Sequence, residues 1–238
     1  MQLFPVCGIL HVVNHAWLIV HMQNRRNLSS VVTRAYDPGS NVWIEFRWPS
    51  TTTYTSSLRS SHSTTLYMVT ASKFSFSTDP LHETWHEAVA PQIWRIDPTV
   101  AIVGSYVIVA GGAYDFEEDP LPVELYDMAS PCWAECQALH VVLRNSAAAS
   151  WLSVDVLDQK MYILDKQSGN LCWFDPNTKI WSHTCGTLTL RPDPSIYFSF
   201  FAFAGEPLLL VGLMGDPENA KSLGIWEVNY DGFDCEEI

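Results

Sequence analysis

Four segments of this chain share a pattern in which an Asp stands six residues before a Trp. The tryptophans are 42, 48 and 48 residues apart, which is too long for a helical-hairpin repeat and suits a four-stranded unit. The pattern therefore predicts a row of similar β units. The copies end at Trp43, Trp85, Trp133 and Trp181, three have an aromatic residue before the Asp (Tyr36, Tyr126 and Phe174), and a degenerate fifth contains Trp226 and Phe233.

The segments between these copies contain paired runs of β-branched and aromatic residues joined by turn signals. "TVAIVG" and "SYVIVAGG" meet at Gly104-Ser105, "WLSVDVLDQKMYILD" turns at Asp158-Gln159, and "FFAFAGEPLLLVG" turns at Gly205-Glu206. The Asp-Pro pairs suit the turns that follow, because Asp bonds its own backbone and Pro presets φ. No stretch of about ten residues combines helical periodicity with caps, so the sequence predicts an all-β fold.

Composition restricts the class of partner. The chain has 238 residues, 47% of them hydrophobic, which is enough for a substantial core. Its net charge of -13 repels nucleic acid and anionic membrane surfaces, so we expect neither as a partner. The apolar stretch "LFPVCGILHVVNHAWLIV" has no preceding Lys or Arg and no cleavage site, and we interpret it as a hairpin whose second strand is "AWLIVHM". We expect a cytoplasmic or nuclear protein.

The cysteines are too sparse for a disulfide scaffold, and none forms a C-x-x-C pair. Two of them are four residues apart, which is a weak metal signal. We interpret the set as ordinary thiols of a reducing compartment. The six are Cys7, Cys132, Cys136, Cys172, Cys185 and Cys235.

One unit carries a sharper signature. Gly111 and Gly112 end an apolar strand, Tyr126 follows, and Trp133 comes seven residues later, an arrangement that resembles a kelch repeat. More narrowly, "RSSHSTTLYMVTASKFSFSTDPLHETW" and "IVAGGAYDFEEDPLPVELYD" resemble the plant F-box/kelch-repeat proteins. The resemblance implies a kelch β-propeller in which the glycines let backbones approach closely and the aromatics stack between blades.

We therefore predict a single kelch-repeat domain over residues 1–238, with blades near 8–49, 61–91, 98–140, 149–186 and 197–238. Five blades fall short of the six or so that the resemblance implies, so the ring is either truncated or closes as a small ring. An F-box needs about 40 to 50 residues of helix-forming sequence, and the first blade already begins near the N-terminus. We expect the F-box to be missing from this chain.

The letters "HETWH" match the H-E-x-x-H spacing of zinc proteases, with His82 and His86 as the ligands. In the repeat register, however, the motif falls on a turn and an outer strand, where two imidazoles lie too far apart to share a zinc ion. A copper radical oxidase, suggested by other kelch-type propellers, is not marked by any set of Tyr, His and Cys residues. We expect no catalytic residues, no cofactor and no metal.

Two features are candidates for partner binding. The acidic run "YDFEEDP" is either a solvated loop or a recognition loop for a basic patch, since propellers bind through the loops of one face. Its charged members are Asp115, Glu117, Glu118 and Asp119. Trp94 is either an interface anchor or a residue packed between blades, and packing is the interpretation we prefer.

The resemblance implies a substrate adapter of an SCF ubiquitin ligase, in which an F-box docks to Skp1 and the propeller holds the client. Relatives are associated with turnover of phenylpropanoid and flavonoid enzymes, such as phenylalanine ammonia-lyase and chalcone synthase. The alternative is a kelch-only interaction protein that competes for the same client without recruiting a ligase. In neither case do we expect this chain to be an enzyme.

Overall fold

The strands of the computed structural model pair antiparallel within five separate sheets, and these sheets form a five-bladed β-propeller. The all-β prediction is confirmed, and the regular helical structure among the described residues is one 3₁₀ turn, Val141–Ser146. The structure describes residues 3–12, 15–24, 26–37, 40, 42–46, 56–60, 65–79, 84–95, 97–112, 122–146, 152–183, 185–188, 193–203, 208–216, 219–229 and 234–237. No helix in these ranges is long and apolar enough to cross a membrane.

Each of the five blades begins with an inner strand and proceeds outward along the chain. Blade 1 contains β1 (Leu3–Val12), β2 (His15–Asn24), β3 (Asn27–Asp37) and β4 (Val42–Phe46). Blade 2 contains β5 (Arg59–Ser60), β6 (Leu66–Val69), β7 (Lys73–Asp79) and β8 (Thr84–Val89). Blade 3 contains β9 (Thr99–Val103), β10 (Tyr106–Ala110), β11 (Val123–Asp127) and β12 (Cys132–Cys136).

Blade 4 contains β13 (Leu152–Leu157), β14 (Lys160–Asp165), β15 (Asn170–Asp175), β16 (Ile180–Trp181) and a short β17 (Gly186–Thr187) that also pairs with β15. Blade 5 contains β18 (Ile196–Phe203), β19 (Leu208–Asp216), β20 (Asn219–Asn229) and β21 (Asp234–Glu237). The N-terminal hairpin is present as predicted, although its first strand begins at Leu3, earlier than the predicted blade start at residue 8.

The turns at the predicted positions have the backbone geometry that their residues favour. Gly104, between β9 and β10, has a φ of 59°. Asp158 and Gln159, between β13 and β14, have φ values of 48° and 59°, the left-handed pair that a tight two-residue hairpin requires. The predicted turn at Gly205-Glu206 lies outside the described residues.

The repeated Asp accepts a hydrogen bond from the backbone of its own turn in two blades, as its side chain predicts. A carboxylate oxygen of Asp127 accepts a hydrogen bond from the amide of Ala129 at 2.8 Å, and one of Asp175 accepts from the amide of Asn177 at 2.9 Å. These bonds close the turns between the third and fourth strands of blades 3 and 4. They fix the register that brings each repeat Trp opposite its aromatic partner.

That aromatic pair has nearly the same geometry in three blades. Tyr36 faces Trp43, Tyr126 faces Trp133, and Phe174 faces Trp181, with ring centroids 5.3, 5.2 and 5.1 Å apart. In blade 2 the register shifts between Ser77 and Asp79, so Trp85 faces Ser77. The copy that lacks the aromatic residue is therefore also the copy with an irregular strand pairing. Trp226 lies on the third strand of blade 5, and Phe233 lies outside the described residues.

The buried core is divided among the gaps between neighbouring blades. One cluster joins blade 2 to blade 3 through Phe74, Phe76 and Val107, and another joins blade 3 to blade 4 through Ile108 and Met161. A third cluster joins blade 4 to blade 5. Since each blade covers the apolar face of its neighbour, stability depends on contacts between consecutive repeats.

Candidate partner-binding surface

Two connections meet at one end of blade 3. Residues 90–98 lead from β8 into β9, and residues 111–122 join β10 to β11. Because strand direction alternates across an antiparallel sheet, the end of the first connection and both ends of the second are at the same end of the blade. The second connection contains the acidic run, whose residues 113–121 lie outside the described part of the chain. The described residues at the ends of the second connection contribute to holding the first connection in place.

A buried ion pair fixes the first connection to blade 3. Arg95 donates from Nε and Nη2 to one carboxylate oxygen of Glu124, at 3.2 and 2.9 Å, and the two side chains are 0% and 2% exposed. The other oxygen of Glu124 accepts from the amide of Gln92 at 2.7 Å. Burial lowers the pKa of Arg95, while the hydrogen bonds and charge of Glu124 act to raise it. The carboxylate thus satisfies both the guanidinium and the backbone of the connection.

The double glycine, Gly111-Gly112, also helps to hold the 90–98 connection against blade 3. Arg95 donates from Nη1 to the carbonyl of Gly111, and Gly111 and Gly112 have φ values of 63° and 68°. A Cβ on Gly112 would lie 2.4 Å from the backbone nitrogen of Pro98 and 2.5 Å from the carbonyl carbon of Asp97. Glycine is required here both by the left-handed φ and by the close approach of the two chains.

The end of the first connection is held by side chains from other blades. Tyr67 of blade 2 donates its hydroxyl to the carbonyl of Pro98, and Arg59 of the same blade forms an ion pair with Asp97. Burial lowers the pKa of Lys166, in blade 4, to about 8, against an opposing effect of the Asp97 charge. The 90–98 connection is therefore anchored to blade 3 through Glu124 and to blade 2 through Tyr67 and Arg59.

Trp94 projects from this anchored connection and is 48% exposed. The preferred interpretation, that Trp94 packs between blades, is wrong. Its neighbour Arg95 occupies the buried position instead, because only a charged guanidinium can pair with the carboxylate of Glu124 there. A half-exposed Trp on a rigid connection is the arrangement found at interface hot spots.

Two of the repeat tryptophans, by contrast, join consecutive blades. The indole N–H of Trp133 donates to the carbonyl of Val89, the last residue of β8, at 3.0 Å. The indole N–H of Trp181 donates to the carbonyl of Gln137, just after β12, at 3.2 Å. Each Trp therefore bonds the end of the preceding blade, and the ring of Trp133 also contacts Phe74 of blade 2.

The described residues of the H-E-x-x-H motif, Thr84 to His86, belong to β8. His86 is exposed and stacks on Phe76, with ring centroids 5.4 Å apart. His82 and Glu83 lie outside the described residues. An extended strand does not provide the helical spacing that this zinc motif requires.

The interpretation of the cysteines as free thiols is confirmed for Cys132 and Cys136 and wrong for Cys172 and Cys185, which form a disulfide. The short β17 returns beside β15 in a register that pairs Leu171 with Gly186, and the next position brings Cys185 opposite Cys172. His140, from the connection between blades 3 and 4, completes a group whose possible ligand atoms lie within 4.8 Å of one another.

Sequence reasoning identified the acidic run, the double glycine and Trp94, but missed the residues that organise them. Arg95 and Glu124 are 29 positions apart and belong to no motif. The available signal was weak: Glu124 interrupts an apolar strand, "VELY", at a position that faces the interior. A charged residue at such a position requires a buried partner.

No family model matches the chain. An F-box/kelch-repeat protein of Arabidopsis thaliana is 42% identical over 220 residues, an alignment that covers 89% of this chain and 55% of the relative. The chain thus spans about half the length of the curated relative it matches.

Proposed function

We propose that this kelch-repeat propeller, which is similar to a plant F-box/kelch-repeat protein, recognises a client protein at the end of blade 3 that carries Trp94. The propeller and its relationship support a protein-binding role. The binding surface that we propose consists of the 90–98 connection and the acidic run that follows the double glycine in the sequence.

The observation that carries this proposal is the exposure of Trp94 on a connection that is anchored on both sides of it, at Gln92 and at Arg95. Glu124 binds the connection at the amide of Gln92 and at Arg95, and Tyr67 binds it at Pro98. Because the backbone on both sides of Trp94 is held in this way, the connection loses little conformational entropy when a partner covers the indole. Trp is also the residue type most enriched among interface hot spots.

The charge of the surface indicates the kind of partner. Asp115, Glu117, Glu118 and Asp119 follow the double glycine, and the whole chain carries a net charge of -13. A client with a basic patch next to an apolar pocket would complement both features. Complementary charge of this kind mainly accelerates association and selects the partner.

In the cell, we propose that the propeller presents its client to an SCF ubiquitin ligase when an F-box is joined to it, in the cytoplasm or the nucleus. Support comes from the relative, whose name combines an F-box with kelch repeats. Phenylpropanoid and flavonoid enzymes are the first clients to test, with ubiquitination performed by the partner subunits. The alternative is a kelch-only protein that binds the same client without a ligase.

Binding is tested with purified chain and immobilised phenylalanine ammonia-lyase or chalcone synthase. Trp94→Ala should weaken the affinity for a true client about 30-fold, the effect of losing a typical hot spot. Trp43→Ala is the matched control, because Trp43 is 52% exposed but lies on blade 1. Equal effects of the two substitutions would contradict the proposed surface, provided that both variants are fully folded at the temperature of the binding assay.

Two further measurements complete the test. Replacing the four acidic residues by their amides should slow association and reduce its dependence on salt, with a smaller effect on dissociation. A pull-down of the protein as plant cells make it, probed for Skp1 and for the client, separates the two cellular roles. Skp1 retained with the client supports the adapter, whereas client binding without Skp1 supports the kelch-only alternative.

A further inference from the structure

The group formed by His140, Cys172 and Cys185 offers the ligand types of a zinc site. One ring nitrogen and two sulfurs lie within 4.8 Å of one another, and they come from the connection between blades 3 and 4, from β15 and from the residue before β17. We propose that reduction of the Cys172–Cys185 disulfide converts this group into a binding site for Zn²⁺. The expectation of no metal rested on sequence spacing, whereas this group is assembled only by the pairing of β15 with β17.

The distances among the three possible ligand atoms are compatible with a bound Zn²⁺. With Zn–S bonds of about 2.3 Å and Zn–N bonds of about 2.0 Å, tetrahedral coordination separates its ligand atoms by about 3.5 to 3.8 Å. The imidazole nitrogen, within 4.8 Å of both sulfurs, therefore needs to approach them by no more than about 1.3 Å, while the two sulfurs must separate. The Cα atoms of the cysteines are 4.7 Å apart, so rotation of the side chains can provide that separation.

The surroundings also suit a neutral complex. Cys172 is fully buried in the apolar cluster between blades 3 and 4, and Cys185 packs against the same cluster. Two thiolates and a neutral imidazole around Zn²⁺ have no net charge, so the complex carries little desolvation penalty in this core. Cys185 and His140 are only partly buried, which leaves access for the ion and for water as a fourth ligand.

His140 is held in place by its own connection. Its Nδ1 accepts a hydrogen bond of 3.4 Å from the amide of Val142, and its carbonyl accepts from the amide of Leu143 at 2.9 Å. A metal ion bound at Nδ1 would replace the long bond from Val142. One bound at Nε2 would require the ring proton to move to Nδ1, where the contact with Val142 would be lost.

The chemical steps balance with a dithiol reductant. The reductant forms its own disulfide while Cys172 and Cys185 each gain a hydrogen, and Zn²⁺ then displaces one proton from each thiol. The oxidised protein has a covalent bond between β15 and the residue before β17. The reduced, zinc-bound protein would tie the connection between blades 3 and 4 to the same point through His140.

Cobalt titration of the full chain tests the proposal, since tetrahedral Co²⁺ absorbs visible light and shows a thiolate charge-transfer band. The chain is reduced with a phosphine, separated from it and titrated without oxygen, in parallel with the oxidised chain. We expect one Co²⁺ per reduced chain, displaced by Zn²⁺, and none in the oxidised chain. Absence of the charge-transfer band from the reduced chain would overturn the proposal.

Three variants assign the ligands. His140→Ala should weaken cobalt affinity at least about 10-fold, because loss of a direct ligand costs no less than loss of its supporting partner. Cys185→Ser should reduce the charge-transfer intensity, while Cys132→Ser, which removes an exposed free thiol, should change neither quantity. If Cys132→Ser abolished the band, or His140→Ala left the affinity unchanged, the assignment would be wrong. The His140 variant keeps its disulfide, so its folding can be verified in the oxidised state.

Discussion

Replacing Glu124 by Gln removes the charge that compensates a fully buried guanidinium. The carboxylate accepts from Nε and Nη2 of Arg95, at 3.2 and 2.9 Å, and from the amide of Gln92 at 2.7 Å. A Gln side chain has one acceptor oxygen, so its NH₂ group must face either the guanidinium or the backbone amide, and both are donors.

The expected loss of unfolding free energy follows from the unpaired charge that remains on Arg95. Arg95 is 0% exposed and has no water with which to replace its partner. Breaking a buried pair at one member typically destabilises a protein by about 3 to 5 kcal/mol. In a chain of this size that corresponds to a fall in Tm of roughly 6 to 20 °C.

A matched ion pair on the surface provides the control. Arg34 and Glu45 are 3.0 Å apart with exposures of 49% and 32%, so Glu45→Gln should cost less than about 1 kcal/mol. The assay is thermal and urea unfolding of both variants beside the parent chain. The double variant Arg95→Met, Glu124→Leu should recover part of the loss, because no charge is left unpaired. If Glu124→Gln cost no more than Glu45→Gln, the proposed anchoring of the Trp94 connection would be refuted.

Three other perturbations have definite expected outcomes. Gly112→Ala should destabilise by at least about 2 kcal/mol in urea unfolding, because its φ is positive and the new Cβ would overlap the backbone at Pro98. Trp181→Ala should cost about 3 to 5 kcal/mol by the same measurement, and Trp43→Ala about 1, because the first indole is 3% exposed and the second 52%. Burial lowers the pKa of His21 to about 4 from 6.5. The unfolded chain therefore binds the extra proton first as pH falls, and about 3 kcal/mol of stability should be lost between pH 6.5 and pH 4. His21→Gln should remove that contribution from the pH dependence of unfolding.

The parts of the fold that were predictable depend on local chemistry. The turns at Gly104 and Asp158 follow from residues that tolerate a left-handed φ, and the aromatic pairs follow from a fixed spacing across one turn. The repeat copy that ends at Trp85 lacks the aromatic residue before its Asp, and in the structure Trp85 is paired with Ser77 in an irregular register. Signals of this kind span fewer than about ten residues, so they can be read along the chain.

The parts that were missed depend on contacts between units. Arg95 meets Glu124 only when the 90–98 connection has folded onto blade 3, and the position of Cys185 follows from a two-residue strand that no propensity predicts. Trp94 and Arg95 are adjacent and both large, and nothing in the sequence determines which of them is exposed. Which of the two residues is buried depends on the carboxylate of Glu124, and that carboxylate lies against the connection only in the folded propeller.

The hydrogen bonds from two of the repeat tryptophans both reach back to residues that are synthesised earlier than the Trp. Trp133 donates to Val89 and Trp181 donates to Gln137, so each acceptor lies 44 residues earlier in the chain than its donor. On the ribosome, a newly emerged blade meets a predecessor that has already left the exit tunnel. We expect the blades to dock in order of translation, each on a completed surface, which shortens the time during which any apolar blade face remains uncovered.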